Sequence, residues 1–490
     1  MLSMRLRLTD LQDPKWSSQG GRWINGESWI EPANVSTLVM EVNDDQAPRV
    51  RVRVKECKRD EADFVELTME PGQARLSAGA FGTTPLYLTE KAGELHASWD
   101  LTMLRPHLRA DRLVSRVVAR TLTRQHRYTS ETLFEGVYRL TERASATFTT
   151  SGLRIHYPKP AEHVLEPRTL RPGVDPLAAL DELLTDVIRQ APTATGCVGV
   201  ELSGGADSGN VALAVKAARF PEVHSFGLLV GGSTGRQQSE RRRAFAEHCD
   251  FRDTATPAMQ HPPFCPGGVR ALRKPHDPAG AFYQEAFDVV REQAAARRCE
   301  VMFTGSGGDE INAHHSRTQA ELPKPEPVPW LGNFATRSLA EANEHLAPIP
   351  VLPVPTLMAF GMHNPGFLRA RVWPVSPLVH PRIVRFMEQL PHEHKRGKAL
   401  FRERIRRAGL PGWVAAPAEP ENFLAVLQKG LRSYGLPVLD DMVKASILVD
   451  LGYVDGKALD QARKDADAAS VVPDPLCDVL ALEVGLRSLM

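Results

Sequence analysis

From 198 to 208 the chain reads Val-Gly-Val-Glu-Leu-Ser-Gly-Gly-Ala-Asp-Ser, and few folds accommodate such a segment. The apolar residues 198–202 predict a buried strand, and residues 210–220 predict a helix. Between them Gly204 and Gly205 let the backbone turn tightly. Loop N–H groups, the Ser203 and Ser208 hydroxyls and the unpaired N–H groups of the helix start can then face one anion, and a pyrophosphate fits. No GxxxxGK[ST] occurs, so this is not a Walker A loop. The loop has no lysine, and Asp207 sits where it can hold Mg²⁺ against phosphates.

The flanking pattern supports that placement. Strands are predicted at 198–202, 223–230 and 300–304, and helices at 176–190, 210–220, 239–249 and 281–298. Such alternation predicts a doubly wound parallel sheet with its ligand at the strand C-termini. Residues 301–310, Val-Met-Phe-Thr-Gly-Ser-Gly-Gly-Asp-Glu, are a second strand running into a Gly-rich turn that ends in two acids. Both turns leave the same sheet edge, so Asp309 is placed to complete a metal site begun by Asp207.

A chain of 490 residues exceeds what one core usually supports, and two domains are expected. The first 150 residues read as β-rich, with extended runs at 36–42, 50–54, 64–69 and 86–88. Pro158, Pro160, Pro167 and Pro172 mark a linker, which divides the chain into 1–160 and 175–490. The Pro-rich stretch 321–330 predicts a mobile surface loop. Beyond 336 the reading is mainly helical, including 382–390 and 399–408.

With 60 Lys+Arg against 59 Asp+Glu, no basic excess calls for nucleic acid. Clusters such as Glu240-Arg241-Arg242-Arg243 read as solvated helix faces. The six cysteines contain no CxxC, so neither a zinc site nor a disulfide framework is suggested, and a cytoplasmic home is expected. No apolar run is long enough to span a membrane. Residues 1–9 alternate Arg with Leu, unlike a signal peptide.

The two loops together resemble the asparagine synthetase and β-lactam synthetase superfamily, whose synthetase domain carries an SGGxDS loop and a later G-x-G-x-DE loop. Ser239-Glu240, the segment Ser376-Pro377-Leu378-Val379-His380-Pro381-Arg382, the stretch KALFRERIRRAGL at 398–410 and Leu482-Glu483 with Leu486-Arg487 are similar to further family segments. The resemblance implies an adenine-nucleotide α-hydrolase-like domain that uses ATP and Mg²⁺ to adenylate a carboxylate. Pyrophosphate leaves, and an amine attacks to give an amide and AMP. It also implies nucleotide binding by Ser203, Gly204, Gly205, Asp207, Ser208, Phe226, Leu228, Gly307 and Gly308. Asp207 and Asp309 hold metal, and Asp309, Glu310 and Lys398 are the catalytic candidates.

The N-terminal part resembles a class II glutamine amidotransferase sandwich at 80–87, AFGTTPLY, and at 132–137, TLFEGV. Active members need a cysteine exposed by removal of Met1, and position 2 is Leu2; the first cysteine, Cys57, reads as a strand residue. The implied nitrogen donor is an amine carried by the substrate. Among members lacking the cysteine, residues 377–382 are most similar to lasso-peptide cyclases, which implies a peptide partner and a protein that delivers it. A β-lactam-synthetase-like small substrate and a catalytically lapsed ATP-binding scaffold are the alternatives. A sulfur-transferring or tRNA-modifying enzyme would need reactive cysteines and a basic RNA surface, and neither is evident.

One departure bears on catalysis. Relatives carry an R-x-K after the Leu410-Pro411 position, whereas 414–423 here reads VAAPAEPENF, with acids near the missing lysine. Lys395, Arg396, Lys398, Arg402 and Lys429 are possible substitutes, with Lys398 the candidate for a phosphate contact. His314-His315 and His276-Asp277 are further candidates for substrate contact.

Overall fold

The computed structural model describes residues 2–12, 15–32, 37–43, 49–55, 64–82, 85–164, 166–191, 193–313, 324, 326–417, 419 and 421–490. They form a mixed α/β fold: two antiparallel sheets, one parallel sheet and many helices.

Strict alternation builds the N-terminal sheets. One has seven strands, with Leu2–Arg7 central between Glu94–Ser98 and Ser28–Pro32; the other has six, running from Gly152–His156 to Thr37–Asn43. Leu2, Met4 and Leu6 point inward and are fully buried against Leu67, Met69, Leu76 and Phe148 of the facing sheet. The period of two sends the intervening Arg5 and Arg7 to the other face, where both bind Glu94. The runs expected at 50–54, 64–69 and 86–88 are strands, as is the described part, 37–42, of the run expected at 36–42. The Arg/Leu alternation at the start is a strand as well.

The parallel sheet has the order Arg252–Pro257, Glu222–Leu229, Cys197–Glu201, Val301–Phe303, Trp373–Val375. Its first and last members were not expected, one being too polar and the other only three residues long. The chain order reverses between Cys197–Glu201 and Val301–Phe303, so the turns that leave these two strands flank the switch point of the sheet.

Two helices begin earlier than periodicity suggested. The helix Ala206–Ala218 starts at 206 because Gly204, at φ +86°, turns the chain and extended Gly205 caps it; Asp207 and Ser208 therefore sit in the first helical turn. The helix Gly232–Cys249 starts at 232 after Gly231 and Gly232, both at positive φ. One face of the sheet buries Val198, Val200 and Leu202 with Val211, Phe245, Phe401 and Ile405, and the other buries Phe226 and Met302 with Val290 and Phe367.

Helices of the C-terminal part, including Leu436–Lys444 and Leu476–Ser488, share a core with Val118, Leu122 and Leu133 from the first third of the chain. Val328 and Trp330 belong to that core, so the described end of the Pro-rich stretch is packed instead of forming a surface loop. No helix among the described residues is long and apolar enough to cross a membrane.

Candidate functional site

The loop at 203–208 is held by its own hydroxyls. Ser203 Oγ and Ser208 Oγ lie 3.0 Å apart, the Ser203 N–H donates to Ser208 Oγ at 3.2 Å, and the Gly205 N–H donates to Ser203 Oγ at 3.2 Å. In this state the two hydroxyls face each other, and an anion would take them as donors by replacing that contact. The second loop lies directly against the first. A Cβ on Gly305 would stand 2.8 Å from the Ser208 nitrogen, and one on Gly308 would overlap the Asp207 carboxylate. The glycines are what let the two turns touch.

Lys398 joins them. Its Nζ lies 2.6 Å from Asp207 Oδ2 and 2.7 Å from Asp309 Oδ1. The residue holds φ +59° at the entry to the helix Ala399–Arg407, an uncommon backbone for a side chain with a Cβ. Burial works against the ammonium, but the Asp207 and Asp309 carboxylates together hold its pKa above the ordinary lysine value. The Asp207 carboxyl is shifted upward as well, from the opposite balance of causes. Burial raises its pKa, Asp309 and Glu310 add to the rise, and Lys398 opposes it. Asp207 Oδ1 is buried with no hydrogen-bond partner, while Asp309 is 83% exposed.

These features fit a divalent cation between phosphates. A buried carboxylate oxygen without a partner and an exposed second carboxylate converge where a positive group already stands. Asp207 and Asp309 would hold the cation; the loop N–H groups, Ser203, Ser208, Gly204, Gly205, Gly307 and Gly308 would hold the phosphates.

Beneath the loop lies a set of polar side chains, two of them from the cluster expected on a solvated helix face. Gln238 Nε2 donates to the carbonyls of Ser203 at 3.1 Å and Leu228 at 2.9 Å, and its Oε1 accepts from the Val230 N–H. Arg241 donates to the Gly204 carbonyl at 2.9 Å and pairs with Glu421. Arg242 binds the Leu202 carbonyl and Asp253. Arg241 and Arg242 are each only 1% exposed, so of the cluster at 240–243 only Glu240 and Arg243 lie on a solvated helix face. Each guanidinium is buried because it satisfies loop carbonyls and a carboxylate together. The acid at 421, near the place of the expected lysine, is part of this support. The early start of the helix Gly232–Cys249, visible in Gly231-Gly232, was the signal for Gln238.

Other candidates fall elsewhere. Phe226 is fully buried among Met302, Val290 and Phe367, and Leu228 is also buried, so neither side chain is open to a nucleotide. Lys429 donates to the Met259 carbonyl at 2.8 Å. Lys395 is buried with a partner, and Arg396 and Arg402 line a separate groove with Asp175. His276 is buried in a turn, its Nδ1 lies 2.8 Å from the Lys274 carbonyl, and burial pushes its pKa down to about 4. His314, His315 and Cys57 lie outside the described residues.

Two features went unread in the sequence. Half-buried Glu201, at the end of the strand that feeds the first loop, has its pKa raised by burial to about 7, with Arg291 pulling it back. At the opposite end of the sheet Cys197, Glu222 and His224 place possible ligand atoms within 4.8 Å of one another. That set uses no CxxC, and only the parallel pairing of neighbouring strands creates it.

No curated protein matches the chain. Residues 179–353, which hold both loops but stop short of Lys398, match the family model described as asparagine synthase, and that match supports the asparagine synthetase superfamily of ATP-dependent amide ligases.

Proposed function

We propose that this chain is an ATP-dependent ligase that joins a carboxylate to an amine through an acyl-adenylate, releasing pyrophosphate and then AMP. The observation that carries the reading is the Asp207–Lys398–Asp309 cluster, which ties together two glycine turns at the switch point of a parallel sheet. A carboxylate oxygen of the substrate attacks the α-phosphorus and the bond to pyrophosphate breaks. The substrate amine then attacks the acyl carbon, loses a proton and displaces AMP.

The chain's residues supply position and charge. Backbone N–H groups and the Ser203 and Ser208 hydroxyls orient the leaving pyrophosphate, and the Lys398 ammonium neutralises charge as it develops on the phosphates. Mg²⁺, on Asp207 and Asp309, would neutralise the phosphates in the ground state. Glu310, next to Asp309 in the first turn of Gly308–Asn312, keeps the local field negative enough to favour a cation.

The finer reading is macrolactam formation in a peptide whose own amine attacks. Two features support it. Leu2, where an amidotransferase thiol would stand, is 1% exposed in the sandwich core, which favours an amine that does not come from glutamine. The Pro377–Val379 turn and His380 with Pro381 keep the cyclase-like segment. On this reading 1–160 is a closed amidotransferase-like domain and 175–490 the synthetase, in the cytoplasm, where free buried Cys197, Cys249, Cys265, Cys299 and Cys477 persist as thiols.

The test is incubation with ATP, Mg²⁺ and peptides bearing a free N-terminus and an Asp or Glu side chain. AMP and pyrophosphate should appear with loss of one water from the peptide. Exclusive formation of ADP, or an Asp207→Ala variant with full activity, would refute the reading.

A further inference from the structure

Between the sandwich and the C-terminal helices lies a cavity of about 190 Å³. At roughly 10–15 Å³ for each water position, it has room for on the order of a dozen waters, or one small metabolite. None of the residues at 203–208, 304–310 or 398 lines it, so it is distinct from the nucleotide loops.

Its walls hold unmet demands of both signs. Arg120, 3% exposed, donates through Nε to the Ala342 carbonyl and through Nη2 to the Glu344 carbonyl, each at 2.7 Å; its Nη1 has no hydrogen-bond partner and stands 3.7 Å from Glu131 Oε2, beyond hydrogen-bond reach. Arg139 donates through Nη2 to the Thr129 carbonyl at 3.3 Å and stands over the Tyr128 ring, and its buried Nε has none. Buried donors are nearly always hydrogen-bonded, so a guanidinium nitrogen without a hydrogen bond on each of two arginines lining this cavity, with Glu131 too far from Arg120 to supply one, points to an absent acceptor. Planar N–H donors suit a carboxylate.

Asp277 is the complement. It accepts from Tyr87 Oη at 3.3 Å and from the Ala279 N–H at 2.9 Å, with no ion-pair partner among the described residues. Burial holds its carboxyl above the usual range despite the Ala279 bond and the Arg369 charge, which is the state of an acid that lacks a near cation. Phe282, Met358 and Met362 supply an apolar wall.

We propose that this cavity binds a free α-amino acid with an apolar side chain, its carboxylate on Arg120 and Arg139 and its ammonium group on Asp277. An amine alone would leave the guanidinium N–H groups unmet, and a simple carboxylate would leave Asp277 unmet. Only a zwitterion answers both. The proposal does not rest on the adenylation reading.

The test is isothermal titration of the full chain, without nucleotide, against each of the twenty standard L-amino acids, followed by the deaminated acid and the decarboxylated amine of the tightest ligand. One apolar amino acid should bind with Kd near or below about 1 mM, and both single-charge analogues at least about tenfold more weakly. Asp277→Asn should weaken the amino acid by about tenfold and leave the deaminated acid unchanged; Arg139→Gln should weaken both. Three results would overturn the proposal: no amino acid bound up to about 10 mM, a deaminated analogue as tight as its parent, or an Asp277→Asn variant with unaltered affinity. The analogue comparison uses wild-type protein, so it decides the matter even if a variant fails to fold.

Discussion

The sandwich and the parallel sheet treat their most informative positions in opposite ways. In the sandwich, Leu2 fills the core with an apolar side chain at the position from which an amidotransferase would attack. In the parallel sheet, the Asp207 carboxyl is buried with one oxygen unpaired and its pKa raised by that burial, and Lys398 is held at positive φ beside it. Apolar filling stabilises a fold and does nothing else, whereas an unsatisfied buried carboxylate weakens it and persists where it has a task. On the proposed function, the contrast places the adenylation chemistry in the parallel-sheet part of the chain and leaves the position of Leu2 to packing.

The strongest challenge to that contrast is removal of the charged cluster. Asp207→Ala or Lys398→Met should reduce AMP formation by about 10²–10³-fold, as loss of a group that stabilises developing charge does, while circular dichroism stays unchanged. Retained activity in either variant would make the cluster a structural ion pair. Gly308→Ala should reduce turnover by about tenfold or more, with little change in Tm, because the added methyl overlaps Asp207 and displaces it.

The sandwich should answer differently. Leu2→Ala should lower unfolding free energy by about 2–4 kcal/mol in urea titration and leave turnover of surviving protein unchanged. A loss of kcat beyond the loss of folded protein would give the sandwich a part in the reaction.

The two halves should also differ in the sign of their pH dependence. Glu201 has a folded pKa near 7, above its unfolded value of 4.5. Its contribution to stability is therefore complete below pH 4.5 and lost as pH rises through 7. Relative to Glu201→Gln, wild type should lose as much as about 3 kcal/mol across that window. Glu94 has its pKa lowered to about 2, chiefly by its bond to Arg5, helped by Arg7 and opposed by burial. Its contribution is present above pH 4.5 and lost as pH falls toward 2. Solvent screening limits it to about 1 kcal/mol, measured as the gap between wild type and Glu94→Gln. Parallel stability curves for each wild-type and variant pair would remove this distinction.

Much of this was readable in advance because it is local. A buried strand, two glycines and a helix were enough to place a turn at 203–208, and the alternation at 64–69 and 86–88 was enough for strands. Helix starts were misjudged where a glycine cap, and not an apolar period, opens the helix, as at Gly205 and Gly231. The burial of Arg241 and Arg242 was hidden because their partners, Gly204, Leu202, Asp253 and Glu421, come from other elements. The resemblance implied a nucleotide contact for Phe226, whereas its side chain packs among Met302, Val290 and Phe367, since on a central strand the neighbours decide which face a residue fills.

By itself the sequence determined that residues 198–208 and 301–310 are strands ending in glycine turns with acids behind them, since φ freedom and apolar run length are properties of the residues. It also determined that position 2 carries no thiol. Only the tertiary structure decided that Lys398, about 190 residues from the first loop and outside the segment matching asparagine synthase, bridges Asp207 and Asp309. The physical reason is that a charge pair depends on distance through space, and that distance is set by the strand order of the sheet and the packing of the helix Ala399–Arg407 against it.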